Sequence, residues 1–332
     1  RDGNKFVIEF ASPLTTIKKY AFRKTQIETI ILPEGLVTIE KEAFRETPLT
    51  EITIPGSVNN VGIDVFWECS KLSKVTFLPS VTKTPLNIGY LYGTYRYGPF
   101  YDAPLTSIDI NRELILVKDD GSNFTQSEWW HGMFANEYWD DVESVSIKIG
   151  PQVETLSNYM FNKLPIQTLT IPGTVKTIGN CVFDECTSLT SLKYEPSPTG
   201  EALTHGYNDD SDDDGPFYAS PLTSVNLNRE INYTYSSSAG NASEGLFGNR
   251  TTLASVTLGE QVKTLSPYMF ANAAIKELVI PGTVTTILND VFYGCKQLAT
   301  LTFNPSPSGT ALTMGYDTNG DAENLFQDNE KL

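Results

Sequence analysis

Four stretches of the chain share one pattern of apolar and polar positions. They are IETIILPEGLVTIEKEAF (Ile27–Phe44), LTEITIPGSVNNVGIDVF (Leu49–Phe66), IQTLTIPGTVKTIGNCVF (Ile166–Phe183) and IKELVIPGTVTTILNDVF (Ile275–Phe292). In each, the opening aliphatic residue and the closing Phe are 17 residues apart. Equal spacing in four copies marks a repeat protein, and the repeat decides the architecture. The opening L-x-x-I-x-I alternates apolar and variable positions, which predicts a strand with one buried face. Such a strand is too short to bury that face alone, so the copies must stack, at about 4.8 Å per coil. Pro33, Pro55, Pro172 and Pro281 end the strand, because Pro donates nothing to a ladder. The V-x-x-I segment behind it lines the opposite wall. The last segment has room for about one helical turn. Its Phe (Phe22, Phe44, Phe66, Phe161, Phe183, Phe270, Phe292) is expected to stack into an aromatic core ladder.

Degenerate copies fill the rest. The central strand residues are Ile8, Ile30, Ile52, Val75, Ile108, Val145, Leu169, Leu192, Val225, Val256, Leu278 and Leu301. That is twelve coils, a rod roughly 55 Å long, with no sequence left for another domain. Residues 1–332 therefore read as a single solenoid. A longer period lies above the coil. Leu49, Ile166 and Ile275 are equivalent, separated by 117 and 109 residues, as are Leu72, Leu189 and Leu298. We read this as a duplicated five-coil block. Long steps between strands place insertions near 78–101, 111–141, 195–218 and 228–247. The predicted class is an α/β repeat: a right-handed solenoid with a parallel β-sheet on one face and short helical or irregular turns opposite.

LTEITIPGSVNNVGIDVFWEC and IKELVIPGTVTTILNDVFYGC carry the order I-P-x-x-V-x-x-I-x-x-x-x-F-x-x-C. In this the units resemble the BspA-type leucine-rich repeats of bacterial surface proteins, over essentially the whole chain. The resemblance implies a leucine-rich-repeat solenoid that is secreted or displayed at the cell surface. It also implies adhesion to host or matrix proteins. The long insertions depart from regular members and tell against binding through the concave face alone. The chain starts at Arg1 with no signal peptide, so an export signal is expected to have been removed.

Composition narrows the partners. With 24 basic and 40 acidic residues the net charge is −16, which repels phosphate backbones and argues against nucleic acid and anionic membrane. There is no run of about 18 apolar residues, so no span of a bilayer is predicted. The only histidines, His131 and His205, are expected in exposed loops. No H-E-x-x-H, G-x-S-x-G or glycine-rich phosphate loop accompanies them. Carboxylates are plentiful, but nothing singles out an acid–base pair, so a glycan-processing enzyme ranks below non-catalytic roles. Cys69, Cys186 and Cys295 hold one repeat position, as small buried residues closing the coil. At about five coils apart they are too distant to pair. A local Cys181–Cys186 bridge stays open.

Asp210, Asp212 and Asp214 with Gly215 form D-x-D-x-D-G, the first half of a calcium loop. Loop position twelve falls on Pro221, so the full motif fails. A solvated acidic loop is the favoured reading and weak calcium binding the alternative; no other cofactor is implied. The aromatic insertions are the clearest departures from the repeat. One holds Tyr90, Tyr92, Tyr95, Tyr97, Phe100 and Tyr101; the other holds Trp129, Trp130, Phe134, Tyr138 and Trp139. Either they form a satellite core, or they present amphipathic rings to a protein or glycan. On the second reading Tyr92, Tyr95, Tyr97, Trp129, Trp130, Tyr138 and Trp139 are the candidate ligand-binding residues. The open sheet face, with Thr53, Thr76, Thr168, Thr170 and Thr302, offers hydroxyls but no large aromatic anchor. The leading function is a surface-displayed or secreted adhesion scaffold for host or matrix protein, or for glycan. The alternative is a structural spacer within a larger surface protein.

Overall fold

The computed structural model describes residues 13–90, 99–118, 133–134, 142–207, 215–217, 219–233, 245–316 and 325–332. Among them lie twenty-two strands, numbered in chain order, in two sets. One set is β3 (Glu51–Ile54), β5 (Lys74–Phe77), β7 (Ser107–Ile110), β9 (Ser146–Ile149), β11 (Thr168–Ile171), β13 (Ser191–Tyr194), β15 (Ser224–Leu227), β17 (Ser255–Leu258), β19 (Glu277–Ile280) and β21 (Thr300–Phe303). The other set is β1 (Thr16–Ile17), β2 (Thr38–Ile39), β4 (Asn60–Val61), β6 (Leu86–Tyr90), β8 (Leu114–Lys118), β10 (Thr155–Leu156), β12 (Thr177–Ile178), β14 (Leu203–His205), β16 (Ile231–Tyr233), β18 (Thr264–Leu265), β20 (Thr286–Leu288) and β22 (Thr313–Tyr316). Pairing is parallel and joins equivalent residues of successive coils, such as Ile52 with Val75 and Leu169 with Leu192. In β3, β11 and β19 the alternate residues are buried and exposed in turn, the strand pattern read from the repeat. One contiguous apolar core runs from Ile17 to Leu325.

The third wall corrects the α part of the class: no helix forms among the described residues. In six coils the residues two before and two after the Phe are non-glycine and have positive φ, among them Glu42 (54°) and Glu46 (59°) around Phe44, and Cys181 (54°) and Glu185 (51°) around Phe183. Left-handed backbone at both places breaks a right-handed helix. What holds it is coil-to-coil bonding: Glu42 N, Phe44 N and Glu46 N donate to the carbonyls of Ile63, Val65 and Trp67 in the next coil. The Phe rings between stack continuously through Phe22, Phe44, Phe66, Phe100, Phe134, Phe161, Phe183, Phe217, Phe247, Phe270, Phe292 and Phe326, at centroid spacings of 5.3 to 6.3 Å. Phe100 and Phe134 thus belong to the core ladder and not to an aromatic loop patch.

Three further expectations need correction. The strand of the sixth coil centres on Ile147, which pairs with Ile108; Val145 precedes it. Between the equivalent strands β11 and β19 lie only β13, β15 and β17, so the higher-order block holds four coils, not five. Each expected insertion also begins with a regular strand: β6, β8, β14 or β16. The extra length enters only after that strand.

Block boundaries have their own construction. β9 pairs back with β7, yet β10 pairs forward with β12 and not with β8. β17 and β18 repeat this arrangement. The boundary coil is therefore bound to one neighbour on each wall. Where the β8 to β10 ladder is missing, the Glu113 carboxylate accepts from Glu154 N (2.9 Å) and Thr155 N (3.2 Å). Glu230 does the same for Lys263 N and Thr264 N. In regular coils one backbone carbonyl fills this place, as Val37 O does for Asn59 N and Asn60 N. Gln152 and Gln261 close the other side, each making two hydrogen bonds to the backbone of Ser80 or Ser197.

Candidate functional site

The inserted segments start and finish on paired elements. Segment 91–98 leaves from β6 and segment 119–132 from its ladder neighbour β8; they return at Phe100 and Phe134, stacked at 5.4 Å. Segments 208–214 and 234–244 leave from β14 and β16 and return at Phe217 and Phe247, also 5.4 Å apart. Two loop-bearing coils thus lie side by side, and the arrangement recurs four coils on, roughly 19 Å away at the strand spacing. Tyr92, Tyr95, Tyr97, Trp129, Trp130, Tyr138 and Trp139 lie outside the described residues, as do Asp210, Asp212, Asp214 and His131. Of the first aromatic group Tyr101 is described: it packs on Trp67 with ring centroids 4.5 Å apart. Arg45 covers the Trp67 ring at 5.7 Å, and Trp67 Nε1 donates to Glu68. Arg45 belongs to a charged group on the turn wall, in which Arg23 and Glu42 pair at 2.8 Å.

Under the loop-bearing coils lie two buried arginines that the sequence reading missed. Arg112 and Arg229 are each 1% exposed. Arg112 Nη1 donates to the carbonyls of Gly56 (3.1 Å) and Val58 (2.8 Å), and Nη2 to Thr84 (2.5 Å). Arg229 makes the equivalent bonds to Gly173 (3.2 Å), Val175 (2.7 Å) and Glu201 (3.1 Å). No carboxylate takes part in these bonds; carbonyl dipoles solvate the cation, and one side chain ties three consecutive coils. The available signal was the triplet Asn-Arg-Glu, present at 111–113 and again at 228–230. Its Arg fills the cradle and its Glu caps the boundary coil.

His205 corrects the expectation of an exposed loop histidine. It sits in β14, 3% exposed, among the rings of Phe183, Phe217, Tyr233 and Tyr194. Nδ1 lies 2.7 Å from Gly206 O, while the buried Nε2 has no partner. Burial penalises the imidazolium and pulls the pKa down to about 4. The equivalent residue in the first block is Ile88, also buried. The unfolded chain protonates His205 near pH 6.5 and the folded one only near 4. Between those values the unfolded state binds more protons, so stability falls as pH falls, by on the order of 3 kcal/mol in total. His205→Ile is expected to remove that share of the acid sensitivity. Urea midpoints at pH 7, 5 and 4 check it; a variant that loses stability in parallel with the wild type would exonerate His205.

The cysteines are structural. Cys69, Cys186 and Cys295 are buried and free, and each thiol donates to the carbonyl of the Phe in the preceding coil, at 3.1 to 3.2 Å. Burial raises all three thiol pKa values, Cys295 to about 12, which keeps them protonated. No disulfide joins Cys181 and Cys186, so the local bridge is not formed. The open face carries charge as well as hydroxyls: Lys74 pairs with Glu51 (3.8 Å) and Lys148 with Asp109 (3.5 Å) across neighbouring strands. Among the described residues no three His, Cys, Asp or Glu gather as a metal site, and no helix is long and apolar enough to cross a membrane.

Comparison with known proteins agrees with this geometry. The family model of the BspA type leucine rich repeat region matches in six copies, over residues 5–90, 136–202 and 213–310. No curated protein matches. Among solved structures, a leucine-rich repeat protein of Bacteroides ovatus is 20% identical with a TM-score of 0.46, over 90% of this chain and 66% of that one. The pneumococcal vaccine antigen PcpA is 18% identical with a TM-score of 0.32, over 88% of this chain and 60% of its own. A leucine rich cell surface protein of Faecalibacterium prausnitzii is 17% identical with a TM-score of 0.32, over 91% and 93%. The matched repeats span well over half of the residues, and the chain belongs to the BspA-type leucine-rich repeat family.

Proposed function

We propose that the chain is a non-catalytic binding scaffold, displayed at a bacterial surface or secreted, whose inserted loops hold a protein or glycan ligand. One observation carries the reading. Extra chain enters at the same coil position in two adjacent coils and again four coils later, always between a paired strand and a stacked Phe. A rigid ladder that fixes both ends of each loop is how repeat scaffolds present variable segments. Two loop pairs at a fixed interval of roughly 19 Å would give avidity toward an extended or repetitive ligand without a deep pocket. A matrix-protein and glycan array probed with the purified chain tests this. Trp129→Ala combined with Trp130→Ala is expected to weaken the captured ligand at least tenfold with the thermal midpoint unchanged. Silence on every ligand would favour the alternative, a structural spacer.

A further inference from the structure

At each block boundary the chain passes from one block to the next through a five-residue link. Residues 150–154 join β9 to β10, and residues 259–263 join β17 to β18. Each link is held by both blocks. On the side it leaves, Gly150 N donates to Ile110 O (2.7 Å) and Gln152 makes its two bonds to Ser80. On the side it enters, Glu154 O accepts from Lys176 N (2.7 Å) and Thr177 N (3.1 Å). The second link repeats this with Gly259 and Leu227, Gln261 and Ser197, and Lys263 with Thr285 and Thr286.

Around the links both sheets are interrupted. No ladder joins β9 to β11 or β17 to β19 on one wall, nor β8 to β10 or β16 to β18 on the other. Inside the second block, by contrast, β11 pairs with β13 through four residues and β10 with β12 through two. Beside β9 a single bond, from Val145 N to Pro165 O (3.0 Å), reaches across. The apolar positions register the gap. The central residues Ile52, Val75, Ile108, Leu169, Leu192, Val225 and Leu278 are at most 3% exposed, whereas Ile147 of β9 and Val256 of β17 are only half-buried. The ring column, however, runs through: Phe134 stacks on Phe161 at 6.3 Å and Phe247 on Phe270 at 5.9 Å. At the second boundary the turn wall also keeps bonds from Phe247 N to Met269 O and from Asn249 N to Ala271 O. At both boundaries, therefore, two walls are open and the third stays in contact.

We propose that residues 150–154 and 259–263 are hinges about which the blocks tilt as rigid bodies, with the ring column as the pivot. A ladder fixes neighbouring strands through rows of short backbone bonds. Glu113, Gln152, Glu230 and Gln261 reach across the boundary on rotatable side chains instead, and stacked rings tolerate tilt. A few residues at the ends of elements then absorb the dihedral change. The inserted loops return at the ring column, close to the pivot. The interval between the two loop pairs therefore holds while their relative orientation changes. The hinge does not depend on what the loops bind.

Spin labels at Thr53→Cys in β3 and Thr257→Cys in β17 test this on the whole chain. Both positions are exposed on the open face, and the native thiols are buried. The pair spans seven coil steps and the first hinge, about 34 Å at the strand spacing. Double electron–electron resonance is expected to give a distance distribution at least twice as wide as the label's own rotamers allow. Glu113→Ala combined with Gln152→Ala removes the side-chain bonds that limit the tilt. It is expected to widen the distribution by at least half again, with the circular dichroism spectrum unchanged. A second pair, Thr170→Cys with Thr257→Cys, lies within one block at about 14 Å, and its dipolar line broadening should be the same in both backgrounds. A distribution no wider than the label alone, or one that the double variant leaves unchanged, would overturn the hinge. So would a change in the second pair, since the block itself would then be loosening.

Discussion

Replacing Phe183 by alanine is expected to destabilise the chain by about 3–5 kcal/mol. The ring is 0% exposed and lies between Phe161 and Phe217 at 6.2 and 5.3 Å. Deleting it removes the transfer energy of a large apolar group and leaves a cavity that the flanking coils cannot close. Their positions are fixed by backbone bonds on all three walls. In a repeat stack the damage spreads only to nearest neighbours, so the loss measures a local interface. A guanidinium chloride titration reads it directly. Phe22→Ala, at a half-buried ladder position, should cost less. An unchanged midpoint for Phe183→Ala would dismiss the ladder as the core.

Arg229→Ala is the second large effect. It strips the hydrogen bonds from the carbonyls of Gly173, Val175 and Glu201, which span two coils, and removes the side-chain tie that adds to the strand ladders of the third coil. At about 1–3 kcal/mol for each buried acceptor left unmade, less what entering water restores, the loss is about 3–5 kcal/mol. Arg229→Lys should not recover it, because one ammonium on a flexible stem cannot serve carbonyls of two coils together. Urea midpoints of the two variants decide the matter. A lysine variant as stable as the wild type would show that only the positive charge counts.

The core was legible because it follows a period. A strand with one buried face places Ile52, Ile54, Val75 and Phe77 at fixed steps, and the structure buries all four. The strand positions read from the sequence, Ile52, Val75, Ile108 and Val145 before Leu169, already make a block of four coils, so five was a miscount; what the sequence hid was the register of the boundary strand. Its Val145 is apolar and adjacent, and only pairing with Ile108 shows that Ile147 holds the register. His205 was misjudged because a polar residue type stands where the equivalent position holds Ile88. A single chain position does not reveal that its ring is enclosed by four others. The candidate loop residues follow no repeat period, so periodicity could nominate their loops but not their contacts.

The residue pattern settled that this chain stacks coils in parallel. Short amphipathic strands at constant spacing have no other way to bury their apolar faces. It also determined the Phe ladder, since one large ring per coil at one depth must meet its neighbour. Contacts between coils set the rest. Left-handed backbone beside Phe44 and its regular equivalents is stabilised by bonds to a coil some 21 residues on, for instance from Phe44 N to Val65 O, and no local propensity encodes that. The buried cations are explained only by three carbonyls brought together from different coils. Asn-Arg-Glu looks like surface sequence until stacking encloses it: long-range geometry turns a charged triplet into the pin of a block boundary.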